Sequence, residues 1–450
     1  MSDDLISKLN HTSVVLPHHG EIIVLDTGAL INAESEAMIQ ALHSRSTGGL
    51  RAHLAVLAKK GARNFMSGFY VGYGHKSIGD CGTTTIFIEG VSMLAAKAIQ
   101  DSPLYAGQEA STRYIDFSQQ PFIDPTRTST GAELLESQRA IYLAAQEPTR
   151  TSLRKKHPRV EGEVEKIYEK AISARAFDIN RSLLPAGVST NLAWHTSLRH
   201  AADRMLFLRH HPLTEVREIA EGLEEALKIH HPNSFGHKKY SETEAYQDVI
   251  AVDYFFHDLN SPEKAIVDFS GIDRKEFEIF RSLLARRPVK TEIPKYVSQA
   301  GVVSAEFQLD FGSFRDIQRH RSIAQRMPLL TSELGFNQWY VENLPEEVRN
   351  YLSNHLQKVN KGIEKLRVTR QEAQYFLPMG YNVSNRFTGD IPASVYMVEL
   401  RDTRFVHPTL QRVAHNIGDQ LVDNLGIPIH RDSEPGRFDI MRGTHDIVTK

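Results

Sequence analysis

At 450 residues the chain has room for two or three domains and a substantial core. Its 53 lysines and arginines nearly balance its 55 aspartates and glutamates, so no global field directs it to nucleic acid or a membrane surface, and any anion must be met by a local site. The single cysteine, Cys81, excludes an intramolecular disulfide and a multi-thiolate metal site, and the 21 histidines form no zinc-spaced set with thiolates, so no metal is expected.

No stretch approaches the roughly 20 apolar residues of a membrane span, and the N-terminus lacks an apolar run of signal-peptide type. A soluble cytoplasmic protein is the expectation. Residues 21–26, EIIVLD, read as a first strand, and residues 34–57 have helical composition. GHKSIGDC, residues 74–81, makes a polar turn ahead of a strand at residues 83–88; by itself it is an ordinary turn with a helix or strand cap. Cys81 within it reads as a small buried apolar residue. IFIEGVSMLAAKAIQ, residues 86–100, then leads to QEASTRY, residues 108–114.

Residues 142–161 read as a solvated polar linker. Its basic cluster, Arg150, Arg154, Lys155, Lys156 and Arg159, has no interleaved aromatic residues, so nucleic-acid binding is not expected. Val164, Ile167, Tyr168, Ala171 and Ile172 recur at helical spacing up to Leu184-Pro185-Ala186-Gly187, and residues 190–208 read as the next helix. Further on, Arg319, His320 and Arg321 close a short helix that runs into a loop. Two guanidinium forks and an imidazole suit phosphate or carboxylate oxygens; a solvated basic turn is the other reading. The second half then repeats the plan of the first. Leu352, Leu356, Val359, Ile363 and Leu366 form a stripe ending at Leu377-Pro378-Met379-Gly380, Leu400-Arg401 echoes Leu198-Arg199, and His407-Pro408 echoes His211-Pro212. An ordered series of this kind marks duplication. The boundary falls near His237, giving domains at residues 1–236 and 237–450, with residues 240–253 opening the second.

The GHKSIGDC turn, the QEASTRY segment and the Arg319-His320-Arg321 triplet together resemble the flavin-dependent thymidylate synthases, the ThyX family. In that family a strand and helix lead to an Arg-His-Arg triplet, followed at a fixed offset by Ser-x-Arg-Tyr. Counted back from Ser111, Arg113 and Tyr114, the triplet falls on Asp101-Ser102-Pro103, where it is missing. Counted forward from Arg319, the Ser-x-Arg-Tyr segment falls on residues 329–332, LLTS, where it too is missing. Each copy keeps the half of the signature that the other has lost. The likeness covers most of residues 16–235 and about half of the second part.

The resemblance implies an α/β (α+β) protein of two ThyX-like domains, each a mixed sheet packed with helices. It implies FAD, with methylenetetrahydrofolate and NADPH as co-substrates, and deoxyuridylate as the nucleotide methylated at carbon 5. Ser77 and Asp80 take the positions of the hydroxyl and carboxylate that meet the flavin nucleotide. Arg199 takes the helix arginine, with Ser197 where the family has asparagine, and Arg401 takes it in the second copy, with Glu399 as the neighbour. Arg319, His320 and Arg321 complete the implied flavin ligands. Ser111 and Arg113 are the implied catalytic pair, holding the phosphate and polarising the ring, while Glu109 accepts from the nucleotide or fixes Arg113, and Arg209 meets the phosphate. Because the family builds each site from several subunits of a tetramer, the resemblance implies a homodimer of tandem chains with one composite site between unlike copies. Two other readings stay open: a nucleotide-binding or assembly protein without turnover, and a related flavin enzyme that modifies carbon 5 of a uridine compound in another way.

Overall fold

Strands form in this chain where apolar and polar side chains alternate, and helices where apolar ones recur at every third or fourth position. The computed structural model describes residues 10–18, 20–25, 28, 31–43, 49–72, 74, 76–110, 115–254 and 258–431. These residues fall into two units, one made of residues 1–114 and 188–254, the other of residues 115–187 and 255–450.

In chain order, strands β1 (His11–Val15) and β2 (Glu21–Leu25) form a hairpin, and helices α1 (Ala33–His43) and α2 (Gly49–Lys60) follow. Strand β3 (Thr83–Ser92) buries Ile86, Ile88 and Val91 and runs straight into α3 (Met93–Gln100), whose N-terminus is capped by the Ser92 hydroxyl accepting from the Ala95 amide. Then come β4 (Ala106–Glu109), α4 (Ser129–Lys156), α5 (Glu165–Asn180), β5 (Ser189–Ser197), α6 (Leu198–Arg209), α7 (Thr214–His230) and α8 (Ser241–Tyr254). Two expectations change here. Residues 142–156 are not linker but the second half of α4, because Leu135, Tyr142, Ala145, Thr149 and Leu153 bury one helical stripe; Arg154 of the basic cluster pairs with Glu147 and Glu169 on the opposite side. Residues 190–197 are strand rather than helix, since Leu192, Trp194 and Thr196 turn inward at alternate positions.

The second unit, to which α4 and α5 belong, adds β6 (Ile266–Asp268), β7 (Val302–Asp310), α9 (Phe311–Ile317), β8 (Ala324–Gln325), α10 (Glu346–Leu366), β9 (Asn382–Asp390), α11 (Ile391–Arg401) and α12 (Pro408–Leu425). The two sheets have the orders β1-β2-β3-β5-β4 and β6-β7-β9-β8. The α/β composition is as expected, but among the described residues every pairing is antiparallel, where a mixed sheet was expected. β3 and β4 run in the same direction, yet β5 lies between them and runs the other way, and β9 does the same between β7 and β8.

The sheets repeat one plan closely. Ala106 and Gly107 of β4 face His195 and Trp194, and Ala324 and Gln325 of β8 face the corresponding Thr388 and Phe387. Asp101-Ser102-Pro103 stand as far beyond the cap Ser92 as Arg319-His320-Arg321 stand beyond the cap Asp310. The first copy differs by a bulge between Ile88 and Val91, made possible by Gly90 at φ +65°.

Within the second unit the two Leu-Pro-x-Gly segments pair with each other. The Ala186 amide donates to the Leu377 carbonyl (2.9 Å) and the Met379 amide to the Leu184 carbonyl (2.8 Å); Gly187 donates to Tyr375 (2.9 Å) and Gly380 to Ser182 (3.0 Å). Exchanging the two segments reproduces the same set of bonds, which is the signature of a local two-fold contact. Pro185 and Pro378, opposite one another, have no amide to leave unpaired. A Cβ on Gly187 would lie 2.6 Å from the Tyr375 carbonyl oxygen and 2.9 Å from that of Ile123. Gly187→Ala is therefore expected to cost about 1–3 kcal/mol in a urea melt, while Gly68→Ala, whose added methyl meets nothing within 4 Å, serves as the control.

Candidate functional site

Helix α6 must bury Leu198, Ala201, Met205 and Leu208, and its periodicity then puts Arg199, Ala202, Asp203, Leu206 and Arg209 on the other face. That face forms one wall of a cavity of about 300 Å³ in the first unit. Glu224 and Lys228 of α7 line it, as do Tyr70, Lys76, Phe235, His237, Lys238, Lys239 and Tyr240, with Thr243 and Glu244 of α8. Cations outnumber carboxylates in this lining, and aromatic rings and aliphatic carbon fill the space between them. Positive charge beside ring faces is the surface chemistry a nucleotide needs.

Two expected ligand residues, Arg199 and Arg209, meet in this cavity, and Asp80 is joined to it. The Arg199 Nη1 donates to Asp80 Oδ2 (2.7 Å), and its Nε stands 3.5 Å from Asp203, which also takes Lys76 Nζ at 2.7 Å. Ser197, the cap of α6, donates to Asp80 Oδ1 (3.3 Å). Ser77 lies in the helical turn Lys76–Gly79 with its side chain exposed, and its carbonyl accepts from the Cys81 thiol. Burial, then Asp203 and Asp80, push the Tyr70 phenol well above its usual range, so it stays a hydrogen-bond donor.

At the other end Arg209 donates from Nε to Glu244 (2.7 Å) and also from Nη2, and from Nη1 to Glu224 (3.2 Å). His210 bridges Glu244 (2.5 Å) and Asp248 (2.6 Å), and Lys239 joins Glu224 (2.9 Å). Hydrogen bonding to Arg209 holds the Glu244 carboxyl down at about 2. Arg199, Arg209, Lys76 and Lys239 thus each face a carboxylate.

Glu109 sits elsewhere in the same unit. Its carboxylate accepts from Lys97 Nζ (3.1 Å) and Gln100 Nε2 (2.8 Å), with the Lys97 and Glu109 side chains fully buried. Ser111 and Arg113 lie outside the described residues. In the second unit Arg319 and Arg321 are exposed, whereas His320 is buried and accepts from Arg401 Nε at 2.8 Å. Burial, then Arg401, pulls His320 down to about 3, so it is neutral at pH 7.

The pairing of Arg401 with Arg199 does not hold, because Arg199 opens α6 and Arg401 closes α11. Arg204 makes the contact that resembles that of Arg401, although it stands about one helical turn nearer its cap. Its Nη2 donates to the Ala98 carbonyl (2.8 Å), as that of Arg401 does to Asp316 (2.7 Å), and Ala98 and Asp316 hold the same place after their caps. Glu399 pairs instead with Arg287. In the first unit Ser102 bonds His200 (3.0 Å), and burial lowers Arg204 to about 10 against the pull of Asp101. Sequence reasoning missed Lys97, Arg204, Lys239 and Glu244. Lys97 alone left a signal, as the one charge inside the apolar run MLAAKAIQ. Among the described residues, no cluster of His, Cys, Asp and Glu is disposed to hold a metal ion, and no helix is long and apolar enough to cross a membrane.

Removing one partner of a buried ion pair strands the other. Lys97→Met should destabilise the chain by about 3–5 kcal/mol, and Lys97→Met with Glu109→Gln by much less, measured by denaturant melts. His320 predicts an acid limb. Folding lowers its pKa from about 6.5 to about 3, so as pH falls from 6.5 the unfolded chain takes up the proton first and stability drops across that window. His320→Gln keeps an acceptor for Arg401 without the titration, and should flatten the fall in melting temperature between about pH 6.5 and about pH 4. His211, His231, His355 and His407 are lowered by burial in the same way and contribute to the same limb, so an unchanged slope would show that His320 supplies none of it.

Residues 31–233, which include most of the first unit's elements and all of α6, match the family model of thymidylate synthase complementing proteins. Over a longer span the chain is similar to UPF0159 proteins. One of Chlamydia muridarum is 24% identical over 415 residues, covering 78% of this chain and 77% of the relative. Another, of Chlamydia pneumoniae, is 24% identical over 408 residues, covering 78% and 76%. A UPF0159 protein of Thermoplasma acidophilum is 23% identical over 476 residues, covering 87% of this chain and 91% of the relative. Residues 31–233 of this chain are therefore similar to the thymidylate synthase complementing (Thy1) proteins.

Proposed function

We propose that this protein is a flavin-dependent thymidylate synthase that methylates deoxyuridylate at carbon 5, with FAD bound and methylenetetrahydrofolate and NADPH as co-substrates. The family match supports a function related to thymidylate synthesis. The observation that carries the finer reading is the cavity of the first unit, where Arg199 and Arg209 converge with Lys76, Lys239, Tyr70 and Phe235 within about 300 Å³. That volume suits one nucleotide portion, a deoxyuridylate or one nucleotide half of FAD.

When bound, the flavin would supply the reducing electrons and the folate the one-carbon unit. The chain's own residues bind and orient. Arg199 and Lys76, now paired with Asp80 and Asp203, are positioned for a phosphate at one end. Arg209 offers its Nε/Nη2 edge at the other, in the fork geometry that matches phosphate oxygens. Tyr70, protonated through the neutral range, is a donor in the wall between them.

One observation favours the second reading, a nucleotide-binding protein without turnover. Where the triplet would stand in the first copy, Ser102 is committed to His200 and Asp101 faces Arg204. A single purified preparation separates the readings. Visible flavin absorbance, deoxyuridylate binding by calorimetry, and loss of about 1.5–3 kcal/mol of that binding in Arg199→Ala are expected for the synthase, together with turnover. Nucleotide binding without turnover would select the second reading, and absence of both flavin and deoxyuridylate binding would overturn the first and second alike.

A further inference from the structure

We propose that α8 is an acidic strap: its Glu244 carboxylate occupies the phosphate position of the cavity and must be displaced before a phosphate-bearing ligand can bind there. The proposal rests on the reading that the cavity takes a nucleotide. Its own basis is the geometry of one carboxylate.

Glu244 meets Arg209 along the Nε/Nη2 edge and receives His210 Nε2 at 2.5 Å. Arginine presents that same edge to a phosphate, so ligand and carboxylate compete for one set of donors. The other groups facing this point are Glu224 of α7, which takes Arg209 Nη1 and Lys239, and Asp248 of α8, which takes His210 Nδ1. Glu224 would remain behind when α8 leaves, but it bonds a different nitrogen of Arg209 and does not block the Nε/Nη2 edge.

The strap is weakly held by apolar contact. Of its described residues only Ala251 is buried, while Tyr246, Val249 and Val252 are 67%, 65% and 77% exposed. Phe207 against Tyr254, with ring centroids 5.1 Å apart, is its one aromatic contact with α6 among the described residues. Its docking rests on one polar cluster, the Arg209, His210 and Glu244 side chains at 19%, 13% and 22% exposure, and an element with so little apolar burial of its own can open locally without unfolding the sheet behind it. α8 lies outside residues 31–233, as do Phe235, His237, Lys238, Lys239 and Tyr240 of the lining, so one side of the cavity is supplied by a segment beyond the family match. Closure of this kind lowers apparent affinity by the fraction of molecules that are open.

The test is calorimetric titration of the full chain with deoxyuridylate and, separately, with inorganic phosphate. Glu244→Gln, which keeps shape and removes charge, should bind both about tenfold tighter than the wild type. Hydrogen exchange provides a measurement that needs no variant: amides of residues 241–254 in the wild-type chain should exchange faster when deoxyuridylate is bound. Equal or weaker binding by Glu244→Gln, or unchanged exchange in residues 241–254 on saturation, would overturn the strap while leaving the cavity's nucleotide reading intact. If neither ligand binds either protein, the nucleotide reading fails and the strap with it.

Discussion

The corner at which a strand ends in a side-chain cap and turns directly into a helix governs both halves of this molecule. In the first copy Ser92 closes β3: its hydroxyl accepts from the Ala95 amide and donates to Glu215 (2.5 Å), while its own amide donates to the same carboxylate (2.7 Å). In the second copy Asp310 closes β7, accepting from the Ser313 amide (2.9 Å) and the Tyr340 hydroxyl (2.8 Å). One copy brings in a carboxylate to satisfy a serine, and the other supplies the carboxylate itself, with a phenol and the Ser313 amide both on its Oδ2. Both solutions keep a buried cap hydrogen-bonded, which is the condition for burying it at all. Once the corner is set, so are the direction of the helix and the positions of Asp101-Ser102-Pro103 and Arg319-His320-Arg321 beyond it.

The charged groups of the first unit follow a common rule. Lys97 and Glu109 are buried together, and Arg199, Arg209, Lys76 and Lys239 each face a carboxylate. Buried charge must be paired. Around the cavity the pairing has a further consequence, because Asp203 and Glu244 hold Lys76, Arg199 and Arg209 in fixed orientations. The buried Lys97 pair is closed on itself, while the cavity pairs are partly exposed and can exchange.

The repeat was legible in the sequence as echoes of short words, and the structure bears out some echoes and re-pairs others. Leu184-Pro185-Ala186-Gly187 and Leu377-Pro378-Met379-Gly380 are true counterparts, bonded to each other by matching amides and carbonyls. Leu198-Arg199 and Leu400-Arg401 are not, since one opens a helix and the other closes one; Arg204 and Arg401 share the same carbonyl contact although nothing in their neighbouring residues is alike.

Sequence alone determined the α and β composition, the strand and helix leading to each triplet position, the likeness to the flavin-dependent synthases, and Arg199 and Arg209 as candidate ligands, because these depend on local periodicity and on motifs written in consecutive residues. Only tertiary structure decided that the sheets are antiparallel, that residues 190–197 are strand, that Glu109 is bound by Lys97, and that Glu244 covers Arg209. Residues 190–197 are polar enough at alternate positions to suit either period until a partner strand selects one. Lys97 and Glu109, or Arg209 and Glu244, are separated in sequence by spacings that no local rule connects, and their pairing comes from the need of each buried or half-buried charge to find an opposite one once packing has brought their helices and strands together.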